Sequence, residues 1–357
     1  MKNKITTILF SIVLFMGLIF SIILKDKDIS VSERRHLASF PSPTFNKVID
    51  GSYFTSLDNY ILDHFPLRDN FRNIKALTNK YLFASTDNNN IFIKDNYIFE
   101  MNYKLNEQAI NNYIKNVNNF IDINSTNNNI YYSIIPDKNY YLNDTHLKLD
   151  YDLMINKLSK INTKYIDITS SLSLKDYYKT DIHWRQENLK EVLNTLGKAL
   201  NQNFTFNYKE NNYNNFTGAL YSKAALNIEK DTLTYLTNDI VDNVKVTHYE
   251  KNKGNTIYKK DELNKIDSYN IFLSGPTSLV TLNNNKQNNN RELIIFRDSF
   301  TSSLAPLLIE NYSKITLIDL RYISMSVIKE IINFNNKDII FLYNTSIINN
   351  SSILKFN

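Results

Sequence analysis

Short, continuous apolar segments that recur along the chain constrain its fold most strongly. Six of them are rich in Ile, Tyr, Phe and Leu, and they cover residues 130–135, 165–168, 271–273, 293–296, 315–318 and 339–343. Runs of this length and composition are typical of strands that a parallel sheet buries on both faces. Helical patterns lie between them, such as the Leu and Val positions of 189–200 and the leucines of 304–308. This alternation predicts an α/β domain with helices on both faces of a parallel sheet.

The pattern places this α/β domain at residues 85–357. Within it, the pattern at about 201–265 is weaker and rich in Asn and Lys, which indicates an insertion or a β-rich excursion. Residues 29–84 form a separate helical segment. There Phe54, Leu57 and Ile61 follow helical spacing, and Pro66 ends the helix because the residue before a proline avoids helical geometry. A second helix is expected at 70–83.

An uncharged apolar run covers residues 5–24. About 20 such residues span the roughly 30 Å hydrocarbon core of a membrane. Lys2 and Lys4 precede the run, so the positive-inside rule puts the N-terminus in the cytoplasm and the rest outside the cell. We therefore predict an uncleaved, single-pass membrane anchor at 1–28, and call 29–84 juxtamembrane. The alternatives are a buried core helix or a cleaved signal peptide, although the run does not end in a small-x-small cleavage site.

Composition excludes several classes of function. The chain has 357 residues, of which 43% are hydrophobic and 22% charged, so it is not a disordered protein. A net charge of +5, carried mostly by Lys, does not indicate nucleic acid as a partner. The chain has no Cys, and so no thiolate metal site or cysteine nucleophile. We see no metal-binding His spacing and no glycine-rich phosphate loop, so no metal or nucleotide cofactor is expected.

A serine follows one of the predicted strands. Parallel sheets place functional residues at the carboxyl ends of their strands. The strand at 293–296 leads into Arg297, Asp298, Ser299 and Phe300, and a helix is expected from Thr301. A turn of this kind exposes the serine oxygen and directs backbone N–H groups at a developing oxyanion. Alternatively, Ser299 only caps the helix.

An acid and a histidine lie before the helical pattern at 189–200. Asp181 and His183 are two residues apart, so in an extended segment they point to the same side, and the only Trp of the chain, Trp184, follows. A nucleophilic serine needs an imidazole to accept its proton, and the imidazole needs a carboxylate to hold its tautomer. The four other histidines have no comparable setting. The alternative is a capping or surface histidine.

These two stretches, Asp181-Ile182-His183-Trp184 and Arg297-Asp298-Ser299-Phe300, together resemble the DHHW family of low-GC Gram-positive bacteria. That family is similar to the SGNH-hydrolase-like, exported alginate O-acetyltransferases. The resemblance also covers residues 32–35, 63–69, 136–138, 299–307 and 318–322. It therefore includes most of the chain beyond the anchor. The serine follows the Asp-His pair in sequence, as it does in the alginate-type proteins. Ordinary SGNH hydrolases have the reverse order.

The resemblance implies an SGNH-hydrolase-like fold and a catalytic triad, with Ser299 as nucleophile, His183 as base and Asp181 as the residue that orients the base. Ile182 replaces the first His of the family's name. Arg297 replaces a glycine that often precedes the Asp-Ser pair, and it could crowd the turn. The oxyanion or substrate candidates are Gly275, Asn344, Arg297 and Trp184.

Three functions remain open at this stage. The first is an O-acyltransferase, with acetyl as the expected group, that modifies a cell-surface or cell-wall polysaccharide. The resemblance then implies a membrane-bound O-acyltransferase partner that passes the acyl group across the membrane. The second is a carbohydrate esterase or deacetylase that uses water as the acceptor. The third is a non-catalytic, anchored surface protein that binds glycan or an envelope partner through a degenerate cleft.

Overall fold

The computed structural model describes residues 2–23, 26–30, 32–83, 89–143, 148–251 and 253–357. The chain forms two compact units. The first consists of Met1–Ile91 with Tyr221–Ile228, and the second of Phe92–Leu220 with Glu229–Asn357. The division into residues 1–28, 29–84 and 85–357 stays a prediction.

The first unit is mainly helical. Its helices are α1 (Lys2–Ile23), α2 (Phe45–Ile49), α3 (Ser52–Asp63) and α4 (Arg68–Tyr81), and β1 (Ile29–Ser30) pairs with β2 (Arg35–His36) in a short antiparallel ribbon. Helices α3 and α4 are the two expected on either side of Pro66. Among the helices of the described residues, none is both long enough and apolar enough to cross a membrane. The anchor predicted for 1–28 includes Met1, Leu24 and Lys25, which lie outside the described residues.

Ion pairs join two sequence segments within the first unit. The Arg35 guanidinium forms a bidentate pair with the Asp63 carboxylate, and its Nε also donates to Glu33 at 2.9 Å. Arg68 donates to the same Glu33 carboxylate at 2.6 Å, and Arg72 lies 3.3 Å from it. These contacts connect residues 32–35 with residues 63–72, so the charges of the two segments neutralise one another.

A mostly parallel sheet with helices on both faces forms the second unit. The strands that follow β2 are β3 (Ile91–Lys94), β4 (Tyr97–Glu100), β5 (Asn129–Ile135), β6 (Lys164–Ile166), β7 (Lys209–Phe216), β8 (Asp231–Thr237), β9 (Lys245–His248), β10 (Leu279–Asn283), β11 (Glu292–Arg297), β12 (Lys314–Ile318) and β13 (Asp338–Asn344). The helices that follow α4 are α5 (Glu107–Asn124), α6 (Tyr151–Leu158), α7 (Lys190–Leu200), α8 (Ala219–Ala224), α9 (Thr301–Leu308), α10 (Met325–Ile331) and α11 (Thr345–Asn349).

Seven strands of the described chain form the sheet, in the order β6-β5-β13-β11-β12-β10-β9. The first five are parallel to one another, and β10 runs antiparallel to both of its neighbours. The predicted α/β architecture, a mostly parallel sheet flanked by helices, is confirmed. Because the parallel strands share one direction, the segments after β5, β11, β12 and β13 meet at a single edge of the sheet.

Strand β11 shows why the central strands had to be continuously apolar. Leu293 and Ile295 pack into the core on one face of the sheet, with α7 and α9, whereas Ile294 and Phe296 pack into the core on the other, with α5 and α10. Both faces of β11 are therefore buried, and the burial of each of these side chains contributes about 1.5–3 kcal/mol to the stability of the fold. This rigid layer supports the turn that follows β11.

One predicted strand was wrong, and one strand of the main sheet that lies outside the predicted insertion was missed. Residues 271–273 lie at the end of a 3₁₀ helix, Ser268–Ile271, and Leu273 and Ser274 have φ values of +53° and +61°, which a strand does not allow. Their apolar side chains are buried as part of a loop. Strand β10 follows at Leu279–Asn283. The predicted insertion at about 201–265 contains the β7–β8 hairpin and also β9, an edge strand of the main sheet.

Candidate active site

The turn after β11 carries Ser299 and is held by the carboxylate of Asp298. One oxygen of Asp298 accepts the N–H of Phe300 at 3.0 Å, and the other accepts the N–H of Asn344 at 2.6 Å. The carboxylate thus ties the turn to the end of the neighbouring strand β13. Burial raises the pKa of Asp298, and these N–H donors oppose that effect. Asp298 therefore stabilises the turn that carries Ser299.

The carboxylate of Asp181 is buried and fully engaged. Its Oδ1 accepts the backbone N–H of His183 at 3.0 Å and lies 2.5 Å from Nδ1 of the same residue. Its Oδ2 accepts the N–H of Ala219 at 2.7 Å. Burial alone would raise the pKa of Asp181, but the imidazole and these N–H donors outweigh it and hold the pKa below its ordinary value. The group is therefore an ionised carboxylate at neutral pH.

His183 connects this carboxylate to the serine. Its Nε2 lies 2.8 Å from Oγ of Ser299, although the two residues are 116 positions apart in sequence. The ring stacks on Tyr269, with centroids 3.8 Å apart and planes within 7°. A proton on Nδ1 would be held by Asp181, which leaves the lone pair of Nε2 to accept a proton from Ser299. Ser299, His183 and Asp181 thus form one hydrogen-bonded chain.

Trp184 has a structural position, so its prediction as a substrate candidate was wrong. The side chain is fully buried, and its indole N–H donates to the Phe300 carbonyl at 3.0 Å and to Ser303 Oγ at 2.9 Å. The ring also meets Phe300 edge to face at 5.5 Å. These contacts fasten the segment that carries His183 to the start of α9, and they leave no indole surface for a ligand.

Arg297 was also wrongly expected to contact substrate or to crowd the turn. Only 1% of the residue is exposed, because the side chain folds beneath the turn. Nη1 donates to Ser302 Oγ at 2.9 Å and to the Asp298 carbonyl at 3.2 Å, and Nη2 donates to Thr277 Oγ1 at 3.0 Å. Burial lowers the pKa of this arginine. The guanidinium therefore supports the turn from inside the protein.

The two remaining oxyanion candidates lie in different places. Gly275 has φ of +76°, and a Cβ there would lie 2.4 Å from the Asn270 side chain, so it is a turn glycine and does not line the cavity at Ser299. Asn344 lines that cavity with Ser299. Its side chain donates to the Ile135 carbonyl at 3.1 Å and accepts from the N–H of Ser346 at 2.9 Å. It therefore caps α11 at the wall of the cavity.

Two residues that hold Asp181 in place were not among the predicted site residues, although one of them, Lys138, lies in the 136–138 segment of the resemblance. Nζ of Lys138 is buried and donates to the carbonyls of Tyr178 at 3.0 Å, Lys179 at 3.2 Å and Asp181 at 2.8 Å. Burial lowers its pKa to about 7. Gly218 packs so closely that a Cβ would lie 2.2 Å from Cβ of Asp181. The conformation of residues 178–183 thus depends on both.

Fold similarity to solved structures supports the resemblance found in the sequence. A DHHW family protein from Eubacterium siraeum aligns with a TM-score of 0.63 at 20% identity, over 76% of this chain and 96% of that one. PatB1 of Bacillus cereus with a sulfonyl adduct aligns with a TM-score of 0.57 at 18% identity, over 72% of this chain and 95% of that one. The predicted similarity to the DHHW family is therefore confirmed at the level of the fold.

Other comparisons add less. The O-acetyltransferase domain of Pseudomonas putida AlgJ aligns with a TM-score of 0.42 at 10% identity, over 72% of this chain and 92% of that domain, which is too distant to bear on function. No protein-family model matches the chain, and no curated protein matches it in sequence. Within the described ranges, no group of three or more His, Asp or Glu side chains is arranged to hold a metal ion.

The close packing of Gly218 generates a first prediction. In Gly218→Ala, the new methyl group would force Asp181 away from His183. We expect the free energy of unfolding in urea to fall by about 1–3 kcal/mol, and any ester hydrolysis to fall by about tenfold or more. Gly254→Ala is the control, since its Cβ would meet side-chain atoms alone, the nearest being Ser274 Oγ at 3.0 Å and the next a Lys259 carbon at 3.5 Å. Equal stability and activity in wild type and Gly218→Ala would contradict this view of the packing.

Lys138 generates a second prediction. Lys138→Met would leave three carbonyl oxygens without their donor, so we expect a loss of about 2–4 kcal/mol in the free energy of unfolding. Lys179→Met is the matched control, because that lysine pairs at the surface with Glu229 and should matter little. Urea denaturation at neutral pH measures both. Similar midpoints for the two variants would show that water replaces the Lys138 ammonium.

Proposed function

We propose that this protein is an extracytoplasmic, membrane-anchored O-acyltransferase, with acetyl as the expected acyl group, that modifies a cell-surface or cell-wall polysaccharide. The observation that carries the proposal is the hydrogen-bonded chain from Asp181 through His183 to Ser299 at the wall of a cavity. The sequence resemblance to the alginate-type O-acetyltransferases supports the choice of reaction.

The proposed reaction has two acyl-transfer steps. Ser299 Oγ attacks the acyl carbonyl of the donor while its proton passes to Nε2 of His183, and Asp181 stabilises the imidazolium that forms. The donor's leaving group takes that proton and departs, which leaves an acyl ester on Ser299. A sugar hydroxyl then gives its proton to Nε2 and attacks this ester. Collapse of the second tetrahedral intermediate releases the acylated sugar and returns the proton to Ser299.

The oxyanion of each tetrahedral intermediate needs hydrogen-bond donors. The backbone N–H of Ser299 has no acceptor among the described residues and precedes the first turn of α9, where N–H groups point out of the helix. It is the donor that we assign to the oxyanion. Asn344, whose side chain lies at the cavity wall, is the second candidate.

The acyl donor and the localisation follow from the sequence resemblance and from the apolar run at 5–24. Acyl donors are cytoplasmic, so an external transferase needs a membrane-bound O-acyltransferase partner that delivers the acyl group. Anchoring by residues 1–28 would keep the catalytic unit near that partner. An esterase or deacetylase is the second candidate, because the same three side chains would activate water if the cavity admits it.

The third prediction concerns the three side chains. Purified protein should hydrolyse p-nitrophenyl acetate slowly and transfer acetyl when a suitable oligosaccharide is present. Ser299→Ala and His183→Ala should each lower kcat by about a thousandfold or more, and the double variant should lose no more than either single one, because the residues act as a unit. Asp181→Asn should also be severe, since the amide favours the wrong imidazole tautomer.

Matched controls and a direct label make this test specific. Ser352 and His36 are exposed, so Ser352→Ala and His36→Ala should behave as wild type. A sulfonyl fluoride should modify Ser299, as detected by mass spectrometry of the peptide, and should not modify His183→Ala at a comparable rate. If the triad variants retain wild-type turnover, Ser299 is only part of a turn. Release of free acetate with no acetylated sugar would favour the esterase.

The fourth prediction concerns topology. In intact protoplasts, external protease should degrade the part of the chain beyond residue 28, and the mature protein should keep its original N-terminus, because an uncleaved anchor leaves the bulk of the protein outside. Immunoblotting and N-terminal sequencing measure these outcomes. Protection from the protease, or a mature N-terminus near residue 25, would exclude this arrangement.

A further inference from the structure

The cavity beside Ser299 is lined by five charged residues, Glu100, Asp137, Lys138, Asp298 and Arg321. Three of them are committed to the protein itself. Asp137 accepts hydrogen bonds from the Tyr151 hydroxyl at 2.5 Å and the Thr345 hydroxyl at 2.7 Å. Lys138 and Asp298 hold the two loops described above. The two others are Glu100 and Arg321, and Arg321 is the one that carries a positive charge.

Arg321 is fixed in position and still has donors to offer. Its Nε and Nη2 donate to the two oxygens of Asp319, at 2.9 and 2.6 Å. Its guanidinium also lies 5.3 Å from the centre of the Tyr322 ring. Asp319 follows β12, the strand next to β11, and is fully buried. The bidentate pair fixes the plane of the guanidinium. Nη1 has no acceptor among the described residues.

We propose that Arg321 forms an anion-binding subsite beside Ser299, in which Nη1 donates to a carboxylate or phosphate group of the acyl acceptor. The preferred acceptor would then be an acidic glycan. The proposal rests on the proposed function, since it assigns the acceptor class of that same site.

The charged residues that line the cavity make the preference for an acidic acceptor specific. Asp319 neutralises most of the Arg321 charge, so the subsite selects through directed N–H donors on a rigid fork. Glu100 also lines this cavity and would repel an anion placed beside it, so the acidic group is expected next to Arg321. A neutral sugar could enter the cavity but would leave the Nη1 donors without a charged acceptor. Acidic and neutral ligands of one size should therefore differ in affinity.

Binding to the full chain, purified in detergent as Ser299→Ala to prevent turnover, tests the proposal. The probes are trigalacturonate, which carries carboxylates, a trimer of glycerol phosphate, and neutral trigalactose. We expect one of the acidic probes to bind at least tenfold more tightly than trigalactose in calorimetry. The tighter acidic probe identifies the source of the anion. It should also slow sulfonyl fluoride labelling of Ser299 in the wild-type chain.

Substitutions locate the binding. Arg321→Gln should reduce affinity for the acidic probe by tenfold or more and leave affinity for trigalactose unchanged. Because this change would leave Asp319 buried without its partner, Arg321→Gln with Asp319→Asn is the second variant, and it should show the same loss. Arg321→Lys should lose less affinity for the acidic probe than Arg321→Gln, because lysine keeps the positive charge although it lacks the planar guanidinium. The control Arg185→Gln changes an arginine that does not line this cavity.

The outcomes separate this proposal from the proposed function. Equal affinity for acidic and neutral probes, no acidic binding, or unchanged binding in the Arg321 variants would each overturn the subsite, even if Ser299 is labelled and esters are cleaved. Arg321 would then only pair with Asp319. A Ser299 that is neither labelled nor active would instead overturn the acyltransferase, while selective binding of an acidic probe would still place the subsite in the cavity.

Discussion

The arrangement of the site depends on keeping the Asp181 carboxylate ionised inside the protein. A buried charge costs several kcal/mol unless hydrogen bonds and an opposite charge compensate it. Here the backbone N–H groups of His183 and Ala219 and the His183 ring surround the two oxygens. The loop that carries Asp181 is in turn held by Lys138, and Gly218 leaves just enough room for it. The direction of the imidazole, and with it the contact to Ser299, follows from this arrangement.

Charged side chains in the second unit separate into those that build loops and those that face the cavity. Asp298 and Arg297 are both buried, and both are satisfied largely by backbone groups and hydroxyls of the turn that bears Ser299 and of the adjoining end of β13. Such groups give specificity of conformation more than net stability, because desolvation offsets much of their attraction. Arg321 differs, since Asp319 fixes it while part of its guanidinium stays available. Arginine therefore supports the turn from inside the protein at position 297, whereas at position 321 it is a candidate anion-binding residue.

The first unit shows that sequence resemblance can mark structural residues as well as catalytic ones. Residues 32–35 and 63–69 form part of the resemblance, and their charges pair with one another through Glu33, Arg35, Asp63 and Arg68. Partly exposed pairs of this kind contribute modestly one by one, but a network with bidentate geometry can fix the ends of two helices. We therefore attribute these segments to the architecture of the unit.

The sequence by itself determined the α/β class, because burial on both faces leaves a continuous apolar run in every central strand, and that signal is local. It also singled out Asp181, His183 and Ser299, since each lies in a short motif of suitable chemistry. Only the tertiary structure decided that Trp184 and Arg297 are buried braces, that Gly275 is a turn glycine, and that residues 271–273 form a loop. It also revealed the contacts of Lys138 and Gly218 with the Asp181 segment. The physical reason is the distance along the chain between the partners. Lys138, for example, binds the carbonyl of a residue 40 positions away, and neither residue type nor local spacing indicates such a contact, because it arises only when the chain packs.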